Sequence, residues 1–343
     1  MKNGLKIGIA LGSGSARGWS HIGVLRALQK YGIEPDIIAG TSIGALVGSC
    51  YAAGKLDELE TWVSNLGWRD VVSLLDVKLN GGLIEGRKVF QFFDQHMADL
   101  SFEQLQKPFA AVATDLETGR EIWLQHGHLA PAVRASLSIP GLFTPYRSQA
   151  GRILVDGGLV NPVPVTLCRA MGADLVIAVN LNSEIVGKHL RNSRKLSTEF
   201  VAVDGSAESQ KNTAQPKADE QAKATTAENI RNTESHNGES RNGESRNGES
   251  DFFRRISQLF SDENTAGERE LPMPGMMEVI ASSINIMQDR VTRSRMAGDP
   301  ADLMLTPRLS HMGLMEFYRA TEAITAGEQT VEYALPALKA LLG

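Results

Sequence analysis

Only two cysteines occur in 343 residues, and no run of eighteen apolar residues appears. Cys50 and Cys168 each sit inside an apolar helical run. That pattern suggests neither a disulfide framework nor a metal site, and buried thiols in a reducing compartment are expected. Without a long apolar run there is no membrane-spanning helix to expect. Met1-Lys2-Asn3-Gly4 leads straight into a strand pattern with no secretory apolar core, so the expectation is a soluble, cytoplasmic protein. Excess basic charge is also missing. A net charge of −5 leaves no electrostatic footprint for nucleic acid.

What the chain does have is the turn Gly40-Thr41-Ser42-Ile43-Gly44. It lies between an apolar extended run, Asp36 to Ala39, and a small-residue helical run, Ala45 to Ala53, that stops at Gly54. Strand, sharp turn and helix hold a serine in a strained geometry that lifts its hydroxyl clear of the sheet, and the flanking glycines, Gly40 and Gly44, remove clashing β-carbons. The free N–H groups and positive dipole end of the helix point at the serine and favour negative charge there. Ser42 is therefore placed like a nucleophile. The plainer reading is a strand-to-helix turn with no chemistry.

Upstream, Lys6 to Leu11 reads as a strand and runs into a loop of small residues, Gly12-Ser13-Gly14-Ser15-Ala16-Arg17-Gly18, that opens a helix bearing Ile22, Leu25 and Leu28 on one face. As a dinucleotide fingerprint the loop fails, because Arg17 stands where the third glycine is needed. As an oxyanion hole it works. Backbone N–H groups, Gly14 and Ser15 first and Ile43 as a third, can face the oxygen of a tetrahedral intermediate, each worth about 3 kcal/mol. A tight turn without a ligand is the bland alternative.

Downstream, Pro108 to Thr114 reads as a buried strand, Glu121 to Leu124 as another, and Leu129 to Leu137 as a helix. Arg152 to Val155 is a strand ending in Asp156-Gly157-Gly158. A carboxylate there shares the rim of Ser42 if its strand is parallel to the first two; otherwise Asp-Gly-Gly is ordinary turn chemistry. Asn161-Pro162 reads as the cap and first residue of the next helix. Asp174 to Asn180 is a further strand. His21 reads as a packing or surface residue. His126 and His128 lack further ligands for a metal, and His311 is the histidine available to a conventional Ser, Asp, His triad. Only two strand signals precede Ser42, which argues against that triad fold.

Leu11 to Leu25, the Gly40 to Gly44 turn, Asp156-Gly157-Gly158 with Asn161-Pro162, and the block Ser136 to Pro145 together resemble the patatin-like phospholipase family, in particular its small bacterial cytoplasmic members. The match covers residues 5–182 and resumes after 270. The resemblance implies a three-layer α/β/α domain around a mainly parallel sheet and acyl-ester hydrolysis by a Ser–Asp dyad without histidine. Carried over, Ser42 is the nucleophile, Asp156 the base, and Gly12, Ser13, Gly14, Ser15, Arg17 and Gly18 the oxyanion loop, with no cofactor and no metal. The family's loops usually carry glycine where Ser13 and Ser15 stand.

Residues 186–250 collapse into polar composition, with three five-residue copies at Ser235, Ser240 and Ser245 and ten charges of each sign. Such a segment cannot bury a core, and it reads as a disordered insertion in a single domain made of 1–185 and 251–343. Asp251 to Phe260 is amphipathic with Arg254 and Arg255 opposite its apolar side. It suits either an interfacial helix that brings the protein transiently to the inner membrane face or a helix that rejoins the core. Val279, Ile280, Ile284 and Met287 form an apolar helical stripe, and Met315 to Ala326 and Glu328 to Leu342 read as two closing helices. The expected partner is a lipid or acyl-ester substrate. A lipid-binding protein without turnover is the alternative of a different class, and nothing in the sequence fixes an oligomeric state.

Overall fold

The structure is a computed structural model that describes residues 4–67, 97, 99–183 and 276–343. The polar segment 186–250, the amphipathic segment 251–260 and the stretch around Val89 to Phe93 lie outside the described residues. The strands are β1 (Ile7–Leu11), β2 (Ile37–Thr41), β3 (Phe109–Asp115), β4 (Glu121–Leu124), β5 (Tyr146–Arg147), β6 (Ile153–Asp156), β7 (Leu175–Val179) and β8 (Leu303–Leu305). The helices are α1 (Ser20–Lys30), α2 (Ile43–Ala52), α3 (Leu56–Ser64), α4 (Leu129–Ser136), α5 (Val165–Ala170), α6 (Met276–Gly298) and α7 (Ala320–Leu342). Among the described residues the strands form one sheet in the order β5-β6-β3-β2-β1-β7-β8, with β4 on β3. Pairing is parallel from β3 through β2, β1 and β7 to β8 and antiparallel around β4, β5 and β6.

The central strands are apolar throughout because both of their faces are covered. Side chains alternate with a period of two. Ile9, Leu11, Ile38, Ala111, Ile177 and Val179 pack with Leu25 of α1, Leu46 of α2, Leu59 of α3, Leu129 of α4 and Ile324 of α7. Ala10, Ala39, Ala110, Val112 and Ala178 pack on the other side with Val165, Leu167 and Cys168 of α5. The result is an α/β/α sandwich with a mixed, mainly parallel sheet. Both cysteines are buried and unpaired.

Asp156 does not reach the Ser42 rim on a parallel strand, since β6 runs antiparallel to β3. Pro108 gives its carbonyl to the Ile38 N–H, and the Leu116 N–H donates to the Ile153 carbonyl. Backbone groups two residues apart point to the same side of a strand. It follows that β2 and β6 lie along one edge of β3 and meet end to end. β3 makes this possible by outrunning β2: Thr41 is level with Val112, and Asp156 with the next residue, Ala113. Ser42, directly after Thr41, arrives opposite the carboxylate.

Three further expectations are corrected. The helix after Asn161 begins at Val165, because Pro164 keeps Val163 out of helical geometry. The two closing helices expected at Met315 to Ala326 and Glu328 to Leu342 are one helix, α7, running from Ala320 to Leu342 and preceded by a 3-10 turn at Phe317–Arg319. Gly327 does not break it. A β-carbon on Gly327 would stand 2.0 Å from the Ser20 carbonyl oxygen and one on Gly23 1.8 Å from that of Ile324, so these glycines let α7 and α1 cross with backbones in contact. The third correction concerns α6, whose apolar stripe faces outward: Val279, Ile280 and Met287 are 47%, 36% and 48% exposed. Among its described side chains, Asn285, Gln288, Asp289 and Thr292 are the buried ones.

Candidate active site

β2 delivers Ser42 into a turn with φ 58° and ψ −125°, a conformation that side chains other than hydrogen rarely occupy. Close packing of the flanking glycines holds it there. A β-carbon on Gly44 would lie 2.1 Å from the Leu11 carbonyl oxygen, and one on Gly40 2.5 Å from the Gly44 carbonyl oxygen. The Ser42 hydroxyl donates to Asp156 Oδ2 at 2.5 Å. Asp156 Oδ1 accepts from the Gly158 N–H at 2.7 Å. Both side chains are 1% exposed. Burial pushes the Asp156 carboxyl from 3.8 up to about 7, against the opposing pull of the bonds from Ser42 and Gly158.

The Ser136 to Pro145 block acts on both residues. Ser136 Oγ accepts the Ser42 N–H at 2.9 Å, and the Ser138 carbonyl accepts the Asp156 N–H at 2.9 Å. Thr114 ties down the Asp156 carbonyl at 2.8 Å, and Thr41 donates to the Asn161 carbonyl at 2.8 Å.

The glycine loop sits at the carboxyl end of β1, between β2 and β7, where strand order reverses in this kind of sheet. Four of its N–H groups are used internally. Gly12 bonds Val179, Ser13 bonds Pro162, Ala16 bonds Leu314 and Arg17 bonds Gly14. Gly14 and Ser15 are left without a protein acceptor among the described residues, and Gly18 closes the 3-10 turn Ser15–Trp19. The first turn of α2 leaves the Ile43 N–H outside the intrahelical ladder. Ser15 has φ 52°, and its hydroxyl donates to the Leu314 carbonyl at 2.7 Å. Ser13 donates to Gln288 Oε1 at 2.9 Å. The two serines that stand where glycine was expected are thus both anchors.

Arg17 is buried without a carboxylate partner in the described residues. It donates to the carbonyls of Gly14 and Leu181 and to Asn285 Oδ1, and burial lowers its pKa to about 10. His21 is fully buried as a packing residue. Its Nε2 bonds the Gly12 carbonyl at 2.8 Å, and burial lowers its pKa to about 4, so it is neutral at pH 7. His311 lies at the surface with Glu322 at 2.5 Å, while both Asp156 oxygens are engaged by Ser42 and Gly158. Among the described residues no histidine is hydrogen-bonded to Ser42 or Asp156. His126 is an exposed partner of Glu103, and the described residues contain no cluster of three or more metal-ligating side chains. None of the helices of the described residues is long and apolar enough to cross a membrane.

Residues 9–169 match the family model for the patatin-like phospholipases. An uncharacterized NTE family protein of Mycobacterium tuberculosis is 35% identical over 345 residues, covering 97% of this chain and 92% of that protein. This chain belongs to the patatin-like phospholipase family. The human patatin-like phospholipase domain-containing protein 6 is 32% identical over 187 residues, which span 53% of this chain and 14% of the human protein. The solved structure of VipD from Legionella pneumophila aligns with a TM-score of 0.43 and 15% identity over 55% of this chain and 52% of that one. Membership of the patatin-like phospholipases supports a lipid-hydrolase function. Within this patatin-like chain, sequence reasoning missed Gln288, Asn285 and Asn182, polar residues that surround the loop. Asn285 and Gln288 were visible only as polar positions interrupting an apolar helical pattern, and Asn182 only as a polar residue just past β7.

Proposed function

We propose that this protein is a serine lipid acyl hydrolase working through a Ser42–Asp156 dyad, and that residues 1–185 and 251–343 make up its one patatin-like domain. The observation that carries the proposal is the 2.5 Å bond from the Ser42 hydroxyl to a buried carboxylate. An isolated carboxylate is normally too weak a base for a serine. Here burial raises it to about 7, close to the working range of a general base near neutral pH.

As Ser42 Oγ attacks an ester carbonyl, its proton passes to Asp156 Oδ2. The carbonyl oxygen becomes an oxyanion facing the N–H groups of Gly14 and Ser15, with Ile43 at the helix N-terminus as a third donor. Collapse expels the alcohol, which takes the proton back from Asp156 and leaves an acyl-serine. Water then gives a proton to Asp156 and attacks the acyl carbon, and a second collapse frees the fatty acid and restores Ser42. A lipid substrate places this chemistry at a membrane surface or micelle, and no cofactor enters any step.

The test is hydrolysis of p-nitrophenyl esters of rising chain length and of phospholipid vesicles by the native protein, Ser42→Ala and Asp156→Asn. Turnover lost in both folded variants supports the dyad. Activity that survives Asp156→Asn but not His311→Ala would restore the triad. Absence of turnover on every ester would leave a lipid-binding protein.

A further inference from the structure

The inner face of α6 is polar while its apolar stripe faces outward, and the buried polar residues are gathered at the site. Gln288 is 6% exposed and lies between the two halves of it. On one side its Oε1 accepts from Ser13 Oγ at 2.9 Å and from Asn182 Nδ2 at 2.9 Å, and Asn182 Nδ2 also reaches Ser13 Oγ at 3.3 Å, closing a triangle. Two donors on one atom fix that end of the amide as oxygen. The nitrogen end is thereby turned to the Asp156 turn. A β-carbon on Gly158 would stand 2.4 Å from Gln288 Nε2 and 2.8 Å from Asp156 Oδ1, so one point in space touches both groups.

The grip is itself braced. Thr292 donates to the Gln288 carbonyl at 2.7 Å, and Asn285, one turn earlier on the same face, accepts from Arg17 of the loop. A helix that only had to cover this edge would do so with leucine or methionine and avoid desolvating two side-chain amides, those of Asn285 and Gln288. The polar arrangement is costly unless the loop has to be held in one place.

We propose that Gln288 is a positioning residue of the hydrolase site described above, a reading on which this inference rests. Its oxygen fixes the glycine loop at Ser13 while its nitrogen end abuts the Asp156 turn, and the side chain sets the separation between the oxyanion donors and the dyad. Such a residue acts on the transition state more than on substrate binding, because a displaced donor still admits the ester but no longer meets the oxyanion.

The experiment compares Gln288→Leu, Gln288→Glu, Ser13→Ala and the Ser13→Ala/Gln288→Leu double variant with the native protein and Ser42→Ala. The substrate is p-nitrophenyl butyrate at about pH 8.5, where Asp156 is ionised, and thermal unfolding is followed in parallel. Gln288→Leu is expected to lower kcat on the order of 10- to 100-fold with KM within about three-fold of native. The double variant should lose little more than Gln288→Leu alone, since both remove the same bond. Gln288→Glu keeps an acceptor for Ser13 and Asn182 and should recover about ten-fold of the lost kcat. Native kcat in Gln288→Leu, a change confined to KM, or fully additive losses would overturn the inference. If Gln288→Leu does not fold, unchanged kcat in Ser13→Ala does the same. Native-like activity in Ser42→Ala would instead sink the hydrolase reading, and the role of Gln288 with it.

Discussion

Ser15 and Ser42 are the two non-glycine residues of the described chain with left-handed φ, and they stand at the two rims of one site. Ser15 directs its hydroxyl away from the reacting centre, to the Leu314 carbonyl on the loop before α7. Ser42 directs its hydroxyl to a buried carboxylate. Strain of this kind costs about 1–3 kcal/mol per residue. At Ser15 a hydrogen bond offsets it and the result is a fixed loop. At Ser42 the close-packed glycines hold the turn, and the result is a buried hydroxyl donating to a carboxylate. The same backbone state serves as an anchor in one place and in the other presents the hydroxyl of the proposed dyad.

The comparison is broken most severely by Ser42→Ala. Ester hydrolysis should fall at least about 1,000-fold while the melting temperature stays at or above native, measured by p-nitrophenyl ester kinetics and scanning calorimetry. Asp156→Asn should lower kcat on the order of 100- to 1,000-fold. It also has a pH signature. The folded pKa of Asp156 is raised from 3.8 to about 7, so its stabilising contribution is complete below 3.8 and is lost as pH rises through about 7. Denaturant titrations from pH 4 to 8 should show native stability falling relative to that of the Asp156→Asn variant across that window, since the buried, neutral His21 adds the same opposite trend, a gain as pH rises from about 4 to 6.5, to both proteins. In the native enzyme, kcat/KM should drop on the acid side with a midpoint near 7, since the base must be ionised.

Smaller effects sharpen the contrast. Ser15→Ala keeps the strain and loses the Leu314 bond, so it should destabilise by about 1–2 kcal/mol in urea unfolding, while Ser15→Gly relieves the strain and comes out near neutral. Ser42→Gly should stabilise by about 1 kcal/mol while abolishing activity. A loss of stability there would show that the turn is not strained.

The nucleophile turn could be read from the sequence because its information is local. Strand, Gly40, Ser42, Gly44 and helix fall within twenty residues, and each performs its part by close packing with near neighbours. The small-residue loop at the end of β1 was legible for the same reason. The direction of β6 was not. Nothing in Ile153 to Asp156 says which way the strand runs, and what decides it is the overhang of β3 beyond Thr41, a property of two other strands. The orientation of α6 was hidden by the rule that apolar stripes turn inward, which fails where a helix has to satisfy a polar loop. Gly327 looked like a helix end because its neighbour, Ser20, is three hundred residues away in the chain and in contact only in space.

The end-to-end meeting of β2 and β6 bears on how the chain tolerates insertions and deletions. Surface turns such as Leu116 to Gly119 and Ser148 to Gly151 can lengthen without moving Asp156, because pairing with Ala113 restores its position. Loss of one residue between Ile153 and Val155 has no such remedy. Side chains alternate along a strand, so a slip of one position would turn the carboxylate to the opposite face of the sheet. The pairing of Asp156 with Ser42 is therefore all-or-none with respect to chain length inside β6 and indifferent to it just outside.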